Sequence, residues 1–550
     1  MSHVAQVVGP DVVVEFTPPF DLAGHAVFLR AKTLPEKVCE YDWEADRYRL
    51  TAPARFAGML GLDLEHVERT EIEWAGHLLD YQRWITEMAF AAKRFAIWSD
   101  CGTGKTPMQL EWARHVMHAT GGRVLIMAPL QVCHQTIEEA EKFYPGVDAM
   151  RPAFLASRAD LEAWAKGDGA ALGITNYHKM IDGVCNELRW LSGIVLDESS
   201  VLKSGGGVIK WNIIKSCRGI PYKLSCTATP APNDVMEYAS QASFLEKLRT
   251  ENEILWTFFV RDQKSQQWRV KPHAREAFYR FMSSWSIYLR RPSVYGFKDP
   301  FADIPEPLIV EHKLQPTPEQ DEEALQFLRS YDPGSLIPQD RLGVKERSKL
   351  SQIAKGFIYS AGAGEKRTIR PIPSMKPHFV ASLVRKDADA GRQVLVWTVF
   401  DEESRLIERA CAEVGLKGVA SLHGEDDEDT RVEKLDKFRH GEIRILISKA
   451  RLLGYGLNFQ FCTRMIFSGF DDSFESFYQA VRRCYRYGST EQLVVHVPYI
   501  PRLEDHMWEN IVRKKKQFEE ATSAQEMSYV RALGNKCAST DISQYQSKEV

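Results

Sequence analysis

The sequence predicts an α/β protein: two blocks of parallel sheet in tandem, a small N-terminal module, and a helical brace between the blocks. Two stretches, 76–245 and 376–500, alternate short apolar runs with helical segments. A glycine-rich loop stands between a strand-like and a helix-like segment near residue 100. Strands buried on both faces of a parallel sheet read as continuous apolar runs, and these runs have that length. The chain has 550 residues, enough for about three or four domains. With 44% hydrophobic and 26% charged residues it is neither collagen-like, mucin-like nor wholly disordered. A chain this long buries a core without disulfide staples. A net charge of −3 excludes a histone-like protein held by bulk charge, so any nucleic-acid contact must come from local basic patches.

Residues 1–75 form a small β-rich module. Val12–Phe16 and Ala26–Leu29 look like strands, with turns at Pro18-Pro19 and Gly24. In 76–245, strand-like runs are Arg94–Trp98, Val124–Ala128, Leu172–Thr175 and Gly193–Leu196. Residues 246–375 are polar and irregular and read as a helical insertion and linker, with Ala361–Pro373 a flexible connector. In 376–500 the runs are Val394–Trp397, Ile443–Ile447 and Leu493–Val497. Residues 501–550 read as a charged helix, then a loose tail from 531. No run reaches the ~20 apolar residues of a membrane helix, and no secretory signal opens the chain. The ten cysteines contain no C-x-x-C pair, which argues for reduced, mostly buried thiols in a cytoplasmic setting and against a zinc site.

Ser99-Asp100-Cys101-Gly102-Thr103-Gly104-Lys105-Thr106 has the strand–loop–helix context of a phosphate cradle. Glycines let backbone N–H groups turn inward, and the helix N-terminus favours negative charge. Lys105 would reach the outer phosphates, and Thr106 would offer a hydroxyl to Mg²⁺. Ser99 replaces the first glycine of the usual pattern. The competing reading, a turn that binds nothing, does not explain the context. Asp197-Glu198 ends an apolar run, where ligands bind in open α/β sheets. There Asp197 would orient Mg²⁺ and Glu198 would polarise the attacking water. Alone, the pair is a common solvated turn; about 90 residues beyond the glycine loop it points to phosphoryl transfer.

These residues belong to an ordered series that resembles superfamily 2 helicases and translocases, in the chromatin-remodeller-like branch, over about residues 76–500. The series runs through Leu79–Arg83, Ser99–Thr106, Ala128–Val132 with Gln135 opening the next helix, Ile174–Tyr177, Asp197–Ser200 and Leu224–Asn233. It continues with Gln393–Thr398, Leu422–Gly424 with Arg431, Ser448–Ala450, Gly454–Phe459 and Gln479–Gly488. The resemblance implies two RecA-like lobes. It also implies ATP bound by Gln82, Gly102, Thr103, Gly104, Lys105, Thr106, Gly456 and Gln479, with Gln82 reading adenine. Mg²⁺ would sit on Thr106 and Asp197. Lys105, Glu198, Arg483 and Arg486 would be catalytic, the arginines stabilising the transferring phosphoryl group. Thr175, Lys179, Lys203, Thr229, Lys449 and Asn458 would touch a nucleic-acid backbone. The implied partner is DNA, sequence-tolerant, with RNA ranked below it and no membrane. Asp-Glu-Ser-Ser departs from the family's Asp-Glu-Ala-His, and Arg482 stands where many members have glycine.

Aromatics interleave with basic residues at Trp256–Arg261, Gln267–Lys271 and Trp285–Arg291, which suits nucleic acid and a packed brace equally. Arg513–Lys516 reads as a solvated helix face. Tyr41–Leu50 has the flavour of the recognition hairpin of annealing helicases; a β-rich cap is the stronger reading. The function expected is an ATP-dependent DNA translocase or helicase. The alternatives are the motor subunit of a restriction or defence complex, and a catalytically silent clamp. A compact motor of this kind suits a prokaryotic or phage origin.

Overall fold

The computed structural model describes the chain outside residues 1–2, 9–10, 18–21, 33, 35–36, 44, 54–59, 61–71, 168, 204–206, 231–236, 249–250, 262–267, 300–301, 303, 332–342, 361–367, 451–457, 487–488, 490 and 538–550. It divides into two compact units, 1–298 with 524–550 and 299–523. Among the described residues no helix is long and apolar enough to cross a membrane.

The first unit opens with a four-stranded antiparallel sheet of His3–Val8, Asp11–Phe16, Arg47–Pro53 and Val38–Asp42, in that spatial order. Strict alternation sends Val12, Val14 and Phe16 to one face. There they meet Val27 and Ala31 of the helix Leu22–Lys32. Ala26–Leu29, read as a strand, therefore lies in a helix, with Gly24 inside it rather than at a turn. The i, i+4 spacing of Val27 and Ala31 decides the matter, and a short apolar run cannot reveal it alone. Pro18-Pro19 lies outside the described residues.

The main sheet of this unit has seven parallel strands. Their order is Ser286–Leu289, Arg94–Ser99, Tyr222–Thr227, Gly193–Asp197, Val124–Ala128, Leu172–Asn176 and Ala153–Phe154. Four of the middle strands are buried at every residue, as the apolar runs require. The helices Lys105–Thr120 and Leu130–Phe143 connect them, the second opening at Leu130 after Pro129 and not at Gln135. Ser286–Leu289 comes from the stretch assigned to an insertion. It is a buried sheet strand, because Ile287 and Leu289 complete the apolar edge beside Phe95 and Ile97. Helices Glu251–Phe258 and Arg275–Ser283 bury Ile254, Leu255, Phe278 and Met282 in the same unit, so the brace reading prevails there. Trp285 is buried, whereas Trp256 is 77% exposed. From residue 524 the C-terminal helix also counts with this unit: the Tyr529 hydroxyl bonds to Ser286 Oγ at 2.5 Å, and Glu526 accepts the Arg290 N–H. That helix spans Asp505–Cys537, so 531–537 is helical where a loose tail was expected.

The second unit holds six parallel strands in the order Leu308–Lys313, Val494–Tyr499, Arg464–Phe467, Val394–Thr398, Ile445–Lys449 and Val419–Ser421. Leu308–Lys313 again comes from the supposed linker. Thr368–Pro371, from the supposed connector, pairs antiparallel with Phe357–Ser360. A buried triad pins this unit: Glu504 accepts Lys355 and Lys376, each at 2.6 Å. On Arg513–Lys516, Lys514 donates to the Asp472 carbonyl and Lys515 lies near Glu519, which is an ordinary helix face. Each unit is a RecA-like lobe, and the first carries the small module and the helical brace.

Candidate nucleotide and catalytic site

Three neighbouring strands of the first sheet carry the site at their carboxyl ends, where open α/β sheets bind ligands. Arg94–Ser99 leads into the glycine loop, Gly193–Asp197 ends on the acid pair, and Tyr222–Thr227 lies between them. Its register sets Cys226 opposite Asp197 and Thr227 opposite Trp98. One sheet edge thus gathers Lys105, Asp197, Glu198 and Thr227.

The loop needs its glycines. Gly102 and Gly104 both have φ of +84°, a region that costs side-chain-bearing residues strain. A Cβ on Gly104 would stand 2.1 Å from Gln82 Nε2. Asp100 O accepts the Thr103 hydroxyl at 2.7 Å, and Asp100 Oδ1 accepts the Cys101 N–H at 2.7 Å. Lys105 Nζ donates to the carbonyls of Ser99 and Asp100 at 3.1 and 3.4 Å. Burial disfavours its charge, yet Cys101, Glu198, Asp197 and Asp100 outweigh burial and raise its pKa. The ammonium is thus held in the loop until a better anion arrives.

Asp197 is buried, and burial raises its pKa against the pull of Lys105, Gln109 and the Glu198 N–H. Its Oδ1 accepts that N–H at 3.0 Å, and its carbonyl accepts the Tyr177 hydroxyl. Glu198 has φ of +50°, a strained conformation that costs of order 1–3 kcal/mol and persists only where its surroundings impose it. Its Oε2 accepts the Thr227 hydroxyl at 3.5 Å, and Thr227 Oγ1 accepts the Thr229 N–H at 3.2 Å. The Asp197 carboxylate and the Thr106 hydroxyl are oxygen donors, the set a hard cation such as Mg²⁺ takes. Gln109, wholly buried, sits beside Asp197, and its amide helps hold the Asp197 pKa down. A polar site with a desolvated carboxylate and a buried amide beside it fits that ion and its waters.

Gln82 is tied to the glycine loop. Its Nε2 donates to the Thr103 carbonyl at 3.0 Å and its Oε1 accepts the Leu79 N–H at 3.0 Å. Tyr81 donates to the same Thr103 carbonyl at 2.8 Å. Gln82 is buried, and in this conformation its amide braces the glycine loop.

Thr175 and Thr229, expected to touch a nucleic-acid backbone, are fully buried. The Thr175 hydroxyl donates to Leu155 O at 2.9 Å. Thr175 lies within the strand Leu172–Asn176, and Thr229 lies two residues beyond the strand Tyr222–Thr227. Lys179 is half-buried and Asn458 exposed. The Lys203 side chain and Gly456 lie outside the described residues. Lys449 pairs with Asp401 at 2.6 Å beside a cavity of about 510 Å³ lined by Thr398, Phe400 and Phe470. Within the second unit, Arg483 is buried with its guanidinium 5.9 Å over the Trp397 ring, and its carbonyl accepts the Phe459 N–H at 2.8 Å. Arg486 is half-buried. Gln479 Nε2 donates to Glu475 at 3.4 Å. Arg482 lies over the rings of Tyr478 and Tyr485, at 5.3 and 4.8 Å, which gives a packing reason for arginine where glycine is common.

Residues 78–231 match the family model described as type III restriction enzyme, res subunit, and residues 375–488 match the one described as helicase conserved C-terminal domain. One match falls in each of the two units. The first takes in the glycine loop, the acid pair and Thr227; the second takes in Arg483 and Arg486. Among solved structures, the SWI2/SNF2 ATPase core of Sulfolobus solfataricus in complex with double-stranded DNA is 20% identical, with a TM-score of 0.37, covering 84% of this chain and 96% of its own. No curated protein matches.

Proposed function

We propose that the chain is an ATP-dependent DNA translocase or helicase of the remodeller-like branch. The observation that carries this reading is the joint placement of Lys105, Asp197 and Glu198 at one sheet edge, in a chain with both superfamily 2 domains. Lys105 leaves its loop carbonyls for the outer phosphates of ATP, with Gly102, Thr103, Gly104 and Thr106 supplying the cradle. Asp197 and Thr106 would hold Mg²⁺, which would supply charge neutralisation at the phosphates. Glu198 orients and deprotonates the attacking water, while Thr227 fixes its carboxylate. Arg483 and Arg486 stabilise the charge that develops on the transferring group. Thr175, Lys179, Lys203, Thr229, Lys449 and Asn458 serve the nucleic-acid side, with Gly456 and Gln479 on the nucleotide side.

ATP turnover by the full chain, with and without duplex DNA, tests this. DNA is expected to stimulate hydrolysis and Lys105→Ala to abolish it; turnover indifferent to nucleic acid refutes the reading. The restriction-subunit description of the first domain favours a second reading, the motor of a restriction or defence assembly. Co-purification of a nuclease chain with the tagged protein would select it.

A further inference from the structure

We propose that Gln241 is a positioning residue for Glu198, acting through a closed ring of buried hydrogen bonds with Ser199 and Ser225; this deepens the ATPase reading and rests on it. The residue after the acid pair, Ser199, is fully buried, as is Ser225 on the adjoining strand. Gln241, on the helix Glu237–Phe244, is 1% exposed. Gln241 Nε2 lies 3.1 Å from both Ser199 O and Ser199 Oγ. The two serine oxygens are 2.9 Å apart, and Gln241 Oε1 bonds to Ser225 Oγ. Three donors and three acceptors close the circuit in one sense. The amide N–H gives to Ser199 Oγ, the Ser199 hydroxyl to Ser225 Oγ, and the Ser225 hydroxyl to the amide oxygen. Hydroxyl hydrogens are placed by this network, and the other sense would leave the amide oxygen without a donor.

The ring lies one residue from Glu198, whose positive φ must be imposed from both sides. On the amino side, Asp197 is tied by Tyr177 and by the Glu198 N–H. On the carboxyl side the Val201 N–H donates to the Glu198 carbonyl at 3.2 Å, and the ring adds a second tie that fixes both the carbonyl and the side chain of Ser199. The family's histidine position is Ser200 here, and Ser199 with Gln241 supplies a rigid anchor one residue before it. Loosening it would let Glu198 relax from the left-handed region and swing its carboxylate away from Thr227. Misplacement of about 1 Å in a catalytic group costs up to about 100-fold in rate.

The test uses the full chain with ATP, Mg²⁺ and duplex DNA. Amide exchange across 197–202 is measured beside kcat and KM for ATP. Gln241→Leu is expected to speed exchange at 198–201 about 10-fold, the worth of one buried hydrogen bond. It is expected to lower kcat about 10- to 100-fold with KM held within about twofold. The triple variant S199A/S225A/Q241L removes every side-chain member of the ring and leaves only the Ser199 carbonyl without its Gln241 donor. It is expected to recover part of the melting temperature lost in Gln241→Leu without regaining kcat. Unchanged exchange in Gln241→Leu, or full recovery of kcat in the triple variant, overturns the proposal; if Gln241→Leu does not fold, the triple variant decides alone. Should the wild type lack ATPase activity, the motor reading falls, while exchange at 198–201 still decides whether the ring holds Glu198.

Discussion

Gly104 cannot carry a side chain without displacing Gln82, whose amide the added Cβ would meet at 2.1 Å. Gly104→Ala is expected to weaken ATP binding at least about 10-fold, through a positive φ and a disrupted loop brace. Titration with a fluorescent ATP analogue checks this. Gln82→Ala should do the same by freeing Thr103, whereas an adenine-reading role would instead alter discrimination between ATP and GTP. Glu111 carries a different prediction. Burial alone would raise its pKa, but Arg114, His115, Tyr144 and the Ala75 N–H hold it well below the usual carboxylate range. A carboxylate depressed in the folded state stabilises above its unfolded pKa, near 4.5, and that stabilisation is lost as pH falls further. Melting temperature should therefore fall more steeply below about pH 4.5 in the wild type than in Glu111→Gln.

The C-terminal helix contributes to the first unit through Tyr529, which is fully buried in that core. Tyr529→Ala is expected to cost about 3–5 kcal/mol, as for other large buried aromatics, and to lower the melting transition of that unit in calorimetry. In the second unit, Glu504→Gln leaves Lys355 and Lys376 buried without their shared counter-ion, at an expected cost of about 3–5 kcal/mol read by urea titration. These elements also show what the sequence can and cannot reveal. The strand Val124–Ala128 and the loop to Thr106 were legible, because a doubly buried strand must be continuously apolar and a phosphate turn must hold glycine at fixed places. The strand Ser286–Leu289 was not: four residues flanked by Trp285 and Arg290 carry no period that separates a sheet edge from a brace. The helix Leu22–Lys32 hid for the same reason. Gln241 was invisible, since one amide within the buried run Tyr-Ala-Ser-Gln-Ala-Ser has no motif and acquires its meaning only beside Ser199 and Ser225. Tyr177 and Thr227 fell within recognised segments, but their bonds to the acid pair depend on strand register, which no spacing encodes.

On the scale of the whole molecule, the proposed motor requires a cycle in which nucleotide state and grip on nucleic acid bias each other. Contacts dominated by phosphates should make DNA affinity fall linearly on a log–log salt plot and vary little with sequence. Arg483→Ala and Arg486→Ala are expected to reduce DNA-stimulated kcat by about 10³-fold while ATP affinity persists. Displacement of a third strand from a duplex tests the motor itself. With ATP and Mg²⁺ the full chain is expected to strip the triplex, and to leave it intact with a non-hydrolysable analogue or with Lys105→Ala. Brisk ATP consumption on the same duplex with the third strand still bound would contradict it.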